Sequence, residues 1–379
     1  MTNTVDARRR DIRFDDAADA WIVGGYHSAR SILRDAGWTS DPLASPTYRQ
    51  AAAAVGLGEL PLGRTMLLLD GPAHTRVRDS VRDVFTPSYI AQLRPAVEAI
   101  AADVIDGVAT GPTFDFMTQV AQPFPIAVIA EWLGLDLPTA TTLWREAPTL
   151  IRALDAAFDP ASLPATASAF TALIAQFLPL AAQRRADPLD DLLSLLATDP
   201  ALDLDEVVVN AILLAIAGHE TTANLLGAAV IRLFDARQGR LIDDLDVDDP
   251  RLITELLRLD GPAQSILRVA TEPHAIGGHV IASGEVVVVD VAAANRDPSV
   301  FDDPETFNPQ RPASPPHLSF GFGVHRCIGA ALAQLEVVVA LDLLRRRGAQ
   351  IAGPATARDS TRLRGLTSVP MIFTEGATP

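Results

Sequence analysis

The residues best suited to do chemistry lie in Phe320 to Glu336, FGFGVHRCIGAALAQLE. Cys327 is the only cysteine of the chain and stands just ahead of a helical pattern. Gly321, Gly323 and Gly329 surround it, and His325 and Arg326 lie directly upstream. At a helix start the dipole and the free backbone N–H groups favour negative charge, so a thiolate is expected to be stabilised there. The glycines allow a sharp turn and close approach of a planar group, and Phe320 and Phe322 would shield the sulfur from water. Read alone, the loop leaves open an inert buried thiol, a metal or cofactor ligand, and a reactive nucleophile. A dinucleotide fingerprint does not fit, because Arg326 stands where the third glycine belongs and no strand pattern leads in.

Three further groups carry chemistry only in combination. Ala217 to Thr222 (AGHETT) sits inside an apolar stretch. Glu220 and Thr221 there need a polar neighbour or a water-lined cavity, since a bare buried charge is costly. The plain alternative is threonine hydroxyls bonding back to the preceding turn. HETTA is not a zinc-binding HExxH, because Ala223 replaces the second histidine. Glu255 and Arg258 form an i,i+3 pair, alone worth only about 0.2–0.5 kcal/mol on a solvated helix. Arg311, in FNPQR (307–311), supplies a second guanidinium. His74, Arg78 and Arg268 are isolated cations, each unremarked if taken singly.

Positioning these groups falls to a mainly helical scaffold. Ala20 to Gly24 reads as a strand, Ser28 to Ala36 as a helix, and Thr39 to Met66 as a loop holding a short helix. Helical signals cover Pro72–Leu93, Pro95–Val108 and Phe124–Leu133. Pro138–Arg184 reads as two helices separated near Asp159 to Pro164. Leu204 to Phe234 predicts one long helix, apolar nearly all round and therefore buried through the middle. Another helix covers Pro250–Leu259. Ser265 to Asp290 alternates around Gly277, Gly278 and Gly284, the pattern of hairpins. Asn295 to Pro316 is a Pro-rich coil, Ile328 to Arg347 the last long helix, and the tail weakly β-like. No repeat or low-complexity linker divides the 379 residues, which read as one domain, mainly α with a small β-rich portion.

Every basic residue is arginine, and the net charge of −16 argues against nucleic acid as a partner. A single cysteine cannot close an internal disulfide, in keeping with a reducing cytoplasm. The start, MTNTVDARRRDIRFDD, has no apolar core of a signal peptide. The most apolar stretch, Val207 to Ile216, is too short for a bilayer and is interrupted by Asn210. A cytoplasmic protein with no membrane is expected.

Taken together, the motifs resemble those of the cytochrome P450 family of haem-thiolate monooxygenases. The cysteine loop is similar to that family's signature, with Phe320, Gly321, Gly323, His325, Cys327, Gly329 and Ala333 at signature positions. The resemblance implies haem b with Cys327 as axial iron ligand, its thiolate favouring O–O cleavage. It implies Glu220 and Thr221 as an acid–alcohol pair that moves protons. Ala217 and Gly218 would lie against the haem, Gly218 leaving room for O2, with His219 facing away. Glu255, Arg258 and Arg311 would form a buried charge cluster that fixes the coil below the haem. Losing one partner of such a cluster costs about 3–5 kcal/mol. His74, Arg78, Arg268 and His325 would hold the propionates. The likeness spans Trp21 to Phe373 and implies that family's single-domain fold, a triangular helical prism around haem. It departs ahead of Trp21, where a helix and a strand are missing, and between Phe234 and Asp249, which is shortened.

The activity so implied is reductive activation of O2 and insertion of oxygen into a C–H bond. No flavin or nicotinamide fingerprint is visible, so a ferredoxin or flavodoxin with its reductase would supply electrons. It would dock on the cysteine side, where Arg326, Arg76 and Arg82 would form a basic patch. Specificity is expected from Thr39–Met66, from the two helices joined near Asp159, and from residues beside the iron. The last are Leu213, Leu214, Ala217, Ala263, Gln264, Ser265, Ile266, Thr367, Ser368 and Val369. Their mostly small or aliphatic side chains imply a lipophilic small molecule of bacterial secondary metabolism, such as a terpenoid, polyketide or steroid-like intermediate. Hydroxylation is the expected outcome, with epoxidation or C–C/C–O coupling as alternatives. A non-catalytic haem-thiolate sensor, and a hydrolase using Cys327 and His325, are the rivals from other classes.

Overall fold

A computed structural model describes residues 11–54, 61–155, 163–235, 240–358 and 362–374. Among them, helices of seven residues or more are α1 (Tyr26–Arg34), α2 (Pro46–Ala54), α3 (Gly71–Arg82), α4 (Arg94–Asp106), α5 (Pro123–Leu133), α6 (Leu137–Asp155), α7 (Leu163–Ala186), α8 (Leu192–Thr198), α9 (Leu204–Phe234), α10 (Pro250–Asp260) and α11 (Ala330–Arg346). The strands are β1 (Ile12–Asp15), β2 (Ala20–Val23), β3 (Trp38–Thr39), β4 (Phe114–Asp115), β5 (Ser265–Ala270), β6 (His274–Ile276), β7 (His279–Ile281), β8 (Val286–Asp290), β9 (Ala349–Ile351), β10 (Thr356–Ala357), β11 (Leu366–Ser368) and β12 (Pro370–Phe373).

The axis of the molecule is α9. Its start is fixed by a capping box: the Glu206 backbone N–H donates to Asp203 at 2.9 Å, and the Glu206 carboxylate accepts from the Asp203 N–H at 3.2 Å. Its 31 residues extend about 46 Å at 1.5 Å per residue. It touches α5, α6, α7, α8, α10 and α11, which is why apolar residues occupy nearly every face. Two core clusters meet on it. One joins its C-terminal half to α4 and α11 through Leu226, Val230, Leu233 and Leu341. The other joins its N-terminal half to α5, α6, α7 and α8 through Val207, Ile212, Leu143, Leu173 and Leu193.

The β portion lies to one side. Five strands run in the order β1-β2-β8-β5-β3, with β2 and β8 parallel and the other pairs antiparallel. The β-branched run Val286–Val289 supplies the central strand, and α1 packs on the sheet through Ala29, Ile32 and Leu33. A second sheet, β4-β12-β9, brings the end of the chain back onto the helices, and β10 pairs with β11 as a separate hairpin. Asn295 to Pro316 contains turns and bends but no helix and no strand, in keeping with the expected coil.

The strand expected to be missing ahead of Trp21 is present. β1 pairs with β2 along its whole length, Ile12 with Val23 through Asp15 with Ala20, and only Ile12 of the four is buried. The missing helix concerns residues 1–10, which lie outside the described residues, as do 55–60 of the expected loop and 156–162 of the expected helix break. Two short elements were not expected: α8, capped by Asp191, and a π-helical turn at Met117–Ala121. Among the described residues, one helix, over Pro164–Ala186, is long and apolar enough to cross a membrane; here it packs against α6, α8 and α9.

Candidate active site around Cys327

The loop before α11 is built by close approaches. Gly321 and Gly323 have φ of +67° and +77°. A Cβ on Gly323 would lie 2.5 Å from the Leu33 carbonyl oxygen, so the loop can press onto α1 only with glycine there. The Cys327 N–H donates to the Phe320 carbonyl at 2.8 Å, and the Arg326 N–H to that of Gly323 at 3.1 Å. Below the loop, Asn295 acts as a clamp. Its Oδ1 accepts from the Leu318 N–H at 2.7 Å, and its Nδ2 donates to Ser319 Oγ, which donates to the Leu257 carbonyl at 2.6 Å.

Cys327 lies deep in the protein, yet its surface is accessible, the signature of a residue on a cavity wall. Burial pushes its thiol above the ordinary value, against the opposing pull of the Gly329 N–H, Arg326 and Arg78. Desolvation thus opposes what the helix start and the nearby arginines contribute to an ionised sulfur. Among the described residues, no three His, Cys, Asp or Glu side chains are placed to hold a metal ion. A single sulfur ligand on a cavity wall fits an iron that carries its other ligands with it, as in a haem.

The cations above the loop also fit an anionic group. Arg268 is buried at 7% exposure with one hydrogen bond, to the Leu267 carbonyl, and burial lowers its pKa to about 10. His74 is buried with Nε2 unpartnered, and burial first, then His325 and Arg78, lower its pKa to about 4. Arg78 donates to the Arg326 carbonyl at 2.6 Å. These are places for charge-assisted bonds to carboxylates such as haem propionates. His325 differs: its Nε2 bonds Asp70 Oδ1 at 2.8 Å, and its ring lies 4.3 Å from that of His74. That bond also leaves the imidazole committed away from Cys327, against a cysteine–histidine hydrolase. Phe320 packs beside His317 and the main core, while Gly329 caps α11 and accepts from the Ala333 N–H at 3.0 Å.

In the middle of buried α9, Ala217 is exposed and Leu213, Gly218 and Thr221 are half-buried. Spaced by four and by one to three more, they form one stripe of accessible surface inside the fold. Glu220 is buried and turned elsewhere: its Oε1 is paired with Arg358 and accepts from Asn224 Nδ2 at 3.3 Å. Thr221 donates to the Ala217 carbonyl at 2.8 Å, the back-bond that its residue type permits. His219 faces α6, its ring 6.2 Å from Trp144.

Glu255, Arg258 and Arg311 do come together. Arg258 donates two bonds to the Glu255 carboxylate, at 2.7 and 2.8 Å, with both side chains 2% exposed. Arg311 Nε reaches both carboxylate oxygens at 3.1 Å, and the Asn308 N–H adds 2.9 Å. The guanidiniums also tie down carbonyls of the coil at Asn295, Asp302, Pro304 and Thr306. Burial acts to raise the Glu255 pKa, but the bonds from Arg258, Asn308 and Arg311 outweigh it and hold the carboxyl below its usual value.

Other expected residues are placed unevenly. Ala263, Ser265 and Ile266 are half-buried at the start of β5, and Gln264 is tied to the Gly261 carbonyl at 2.6 Å. Ser368 is half-buried and Thr367 exposed on β11. Val369 is wholly buried in the core, and Leu214 is 7% exposed among apolar neighbours. The three arginines of the expected basic patch are held differently. Arg76 is held by Glu206 and the Ala201 carbonyl, and Arg82 by Asp79 and Asp83, which leaves Arg326 exposed. Asp70, Asn295 and Arg358 were missed. Only Asp70 had a local signal, as the residue before the Gly-Pro start of α3.

The model of the family described as Cytochrome P450 matches residues 250–347. The chain is 31% identical to the cytochrome P450 monooxygenase PikC of Streptomyces venezuelae, over 96% of this chain and 88% of that one. It is 33% identical to the 6-deoxyerythronolide B hydroxylase of Saccharopolyspora erythraea, over 93% and 90%. Among solved structures, P450BioI in complex with an acyl carrier protein ligated to hexadec-9Z-enoic acid superposes with a TM-score of 0.86, at 31% identity over 98% of both chains. With relatives at this identity along nearly its whole length, the chain belongs to the cytochrome P450 family and is a haem-thiolate monooxygenase of that fold.

Proposed function

We propose that this monooxygenase hydroxylates a lipophilic intermediate of bacterial secondary metabolism, with haem b on Cys327 and electrons from a ferredoxin or flavodoxin in the cytoplasm. The observation that carries the substrate class is the accessible stripe on α9. Leu213, Ala217 and Gly218 offer apolar surface and Thr221 one hydroxyl, so a ligand against it gains by burying carbon. Relatives named for macrolide chemistry, the 6-deoxyerythronolide B hydroxylase and a P450 EryK variant solved with erythromycin B, support that reading.

When bound, the haem supplies the iron at which O2 is reduced and its O–O bond cleaved. The chain's own residues do the rest. Cys327 would ligate the iron; Arg78 and Arg268 would neutralise the propionates, and His74 would donate a hydrogen bond to one of them. Leu213 and Ala217 would orient the substrate and exclude water. Thr221 would hold a proton at Oγ1 near the reacting oxygen, and Glu220 would resupply it. The test is the ferrous carbon monoxide difference spectrum, followed by titration with macrolide aglycones. A strongly red-shifted Soret band that disappears in Cys327→Ala is expected, with a low-to-high-spin shift on aglycone binding. A colourless protein, or a haem protein blind to every lipophilic probe, would overturn the reading.

A further inference from the structure

Glu220 is tied to a part of the chain that the acid–alcohol motif does not foreshadow. Arg358 follows directly on β10, where the register with β11 shifts between Thr356 and Ala357, a bulge that re-aims the next side chain. Its backbone N–H donates to the Gly365 carbonyl at 2.9 Å, which closes the hairpin, and its guanidinium pairs with Glu220 Oε1. The pair is sheltered, with side-chain exposures of 19% for Arg358 and 5% for Glu220. One turn further along α9, Gly365 lies against Asn224; a Cβ there would be 2.2 Å from Asn224 Oδ1. Asn224 in turn donates to Glu220 and keeps a buried, unpartnered Oδ1. The hairpin and the acid are thus held together at two adjoining points.

We propose that Arg358 is a positioning residue for the proton-delivering carboxylate: it anchors Glu220 to the β10–β11 hairpin, so that delivery to Thr221 depends on how that hairpin is seated. The proposal rests on the reading of Glu220 as a proton carrier. The hairpin also carries Thr367 and Ser368, so a substrate pressing on this strand would act on the acid through Arg358. Without the guanidinium, Glu220 loses both its anchor and its counter-charge in apolar surroundings, and delivery slows.

Arg358→Met, Arg358→Lys, Glu220→Gln and the Arg358→Met/Glu220→Gln double variant, all haem-loaded, test this. NADPH consumption with a plant-type ferredoxin and its reductase, in H2O and D2O, is one readout. Amide exchange of the hairpin is the other. Arg358→Met is expected to slow consumption by roughly tenfold and change the solvent isotope effect as Glu220→Gln does. The double variant should be no slower than Glu220→Gln, Lys should restore part of the rate, and hairpin amides should exchange faster in Arg358→Met and in Glu220→Gln. If Glu220→Gln alters consumption and Arg358→Met does not, the anchoring role is overturned, as it is if the two effects add. If Glu220→Gln itself matches the native rate and isotope effect, the proton-carrier reading has failed instead.

Discussion

Thr221 and Glu220 leave α9 in different directions, and that separates what each variant should do. Thr221 lies on the accessible stripe with its hydroxyl bonded back to Ala217, so Thr221→Ala removes one polar atom from the wall and little from the packing. The share of electrons lost as hydrogen peroxide should rise severalfold in that variant with an unchanged Tm; a native peroxide yield would remove Thr221 from the proton route. At this scale the residue types were legible and their partners were not. Cys327, Glu220 and His325 announce themselves by neighbours in the chain. Asp70 on His325 and Arg358 on Glu220 do not, because such contacts depend on how distant segments pack, and 255 residues separate Asp70 from His325.

The elements around the loop set its stability. Gly323→Ala places a methyl against the Leu33 carbonyl at positive φ, and about 1–3 kcal/mol of stability should be lost together with haem affinity, read as a lower Tm and faster haem transfer to apomyoglobin. The Glu255 cluster governs the acid limb. Its folded pKa lies below the unfolded value of about 4.3, so its stabilisation is full above that pH and is lost as pH falls through the folded value. Glu255→Gln should lower stability at neutral pH by about 3–5 kcal/mol and flatten the pH dependence below 5, measured by urea unfolding. An unchanged acid limb would mean that other carboxylates dominate it. Among elements, α9 was read to the residue because a capping box, a continuous apolar pattern and Asp235 bound it. β1 was missed for the opposite reason: IRFD carries one buried residue and draws its order from pairing with β2 alone. Seven-residue α8 is too short for periodicity to declare itself.

Across the whole molecule, charge is the lever on electron delivery. With a net charge of −16, an acidic donor would be repelled except where a cation stands free. Arg326→Glu should therefore slow reduction by a ferredoxin severalfold and weaken its salt dependence, in stopped-flow measurements. Arg76→Glu, which breaks the pair with Glu206 at the start of α9, should lower Tm and leave the reduction rate per folded molecule unchanged. Equal effects on reduction would put Arg76 on the docking face beside Arg326.

The contact between Gly323 and Leu33 has a further meaning for biosynthesis. The cysteine loop is seated on α1, bonded to Asp70, and clamped from α10, so its surroundings come from both ends of the gene. α1 is made early and must wait for nearly the entire chain before the loop arrives to rest on it, a contact of high sequence separation at the loop that would hold the cofactor. The cradle for the prosthetic group is therefore finished only after residue 327 has cleared the exit tunnel, at the same late stage as α11, which completes the core on the C-terminal half of α9.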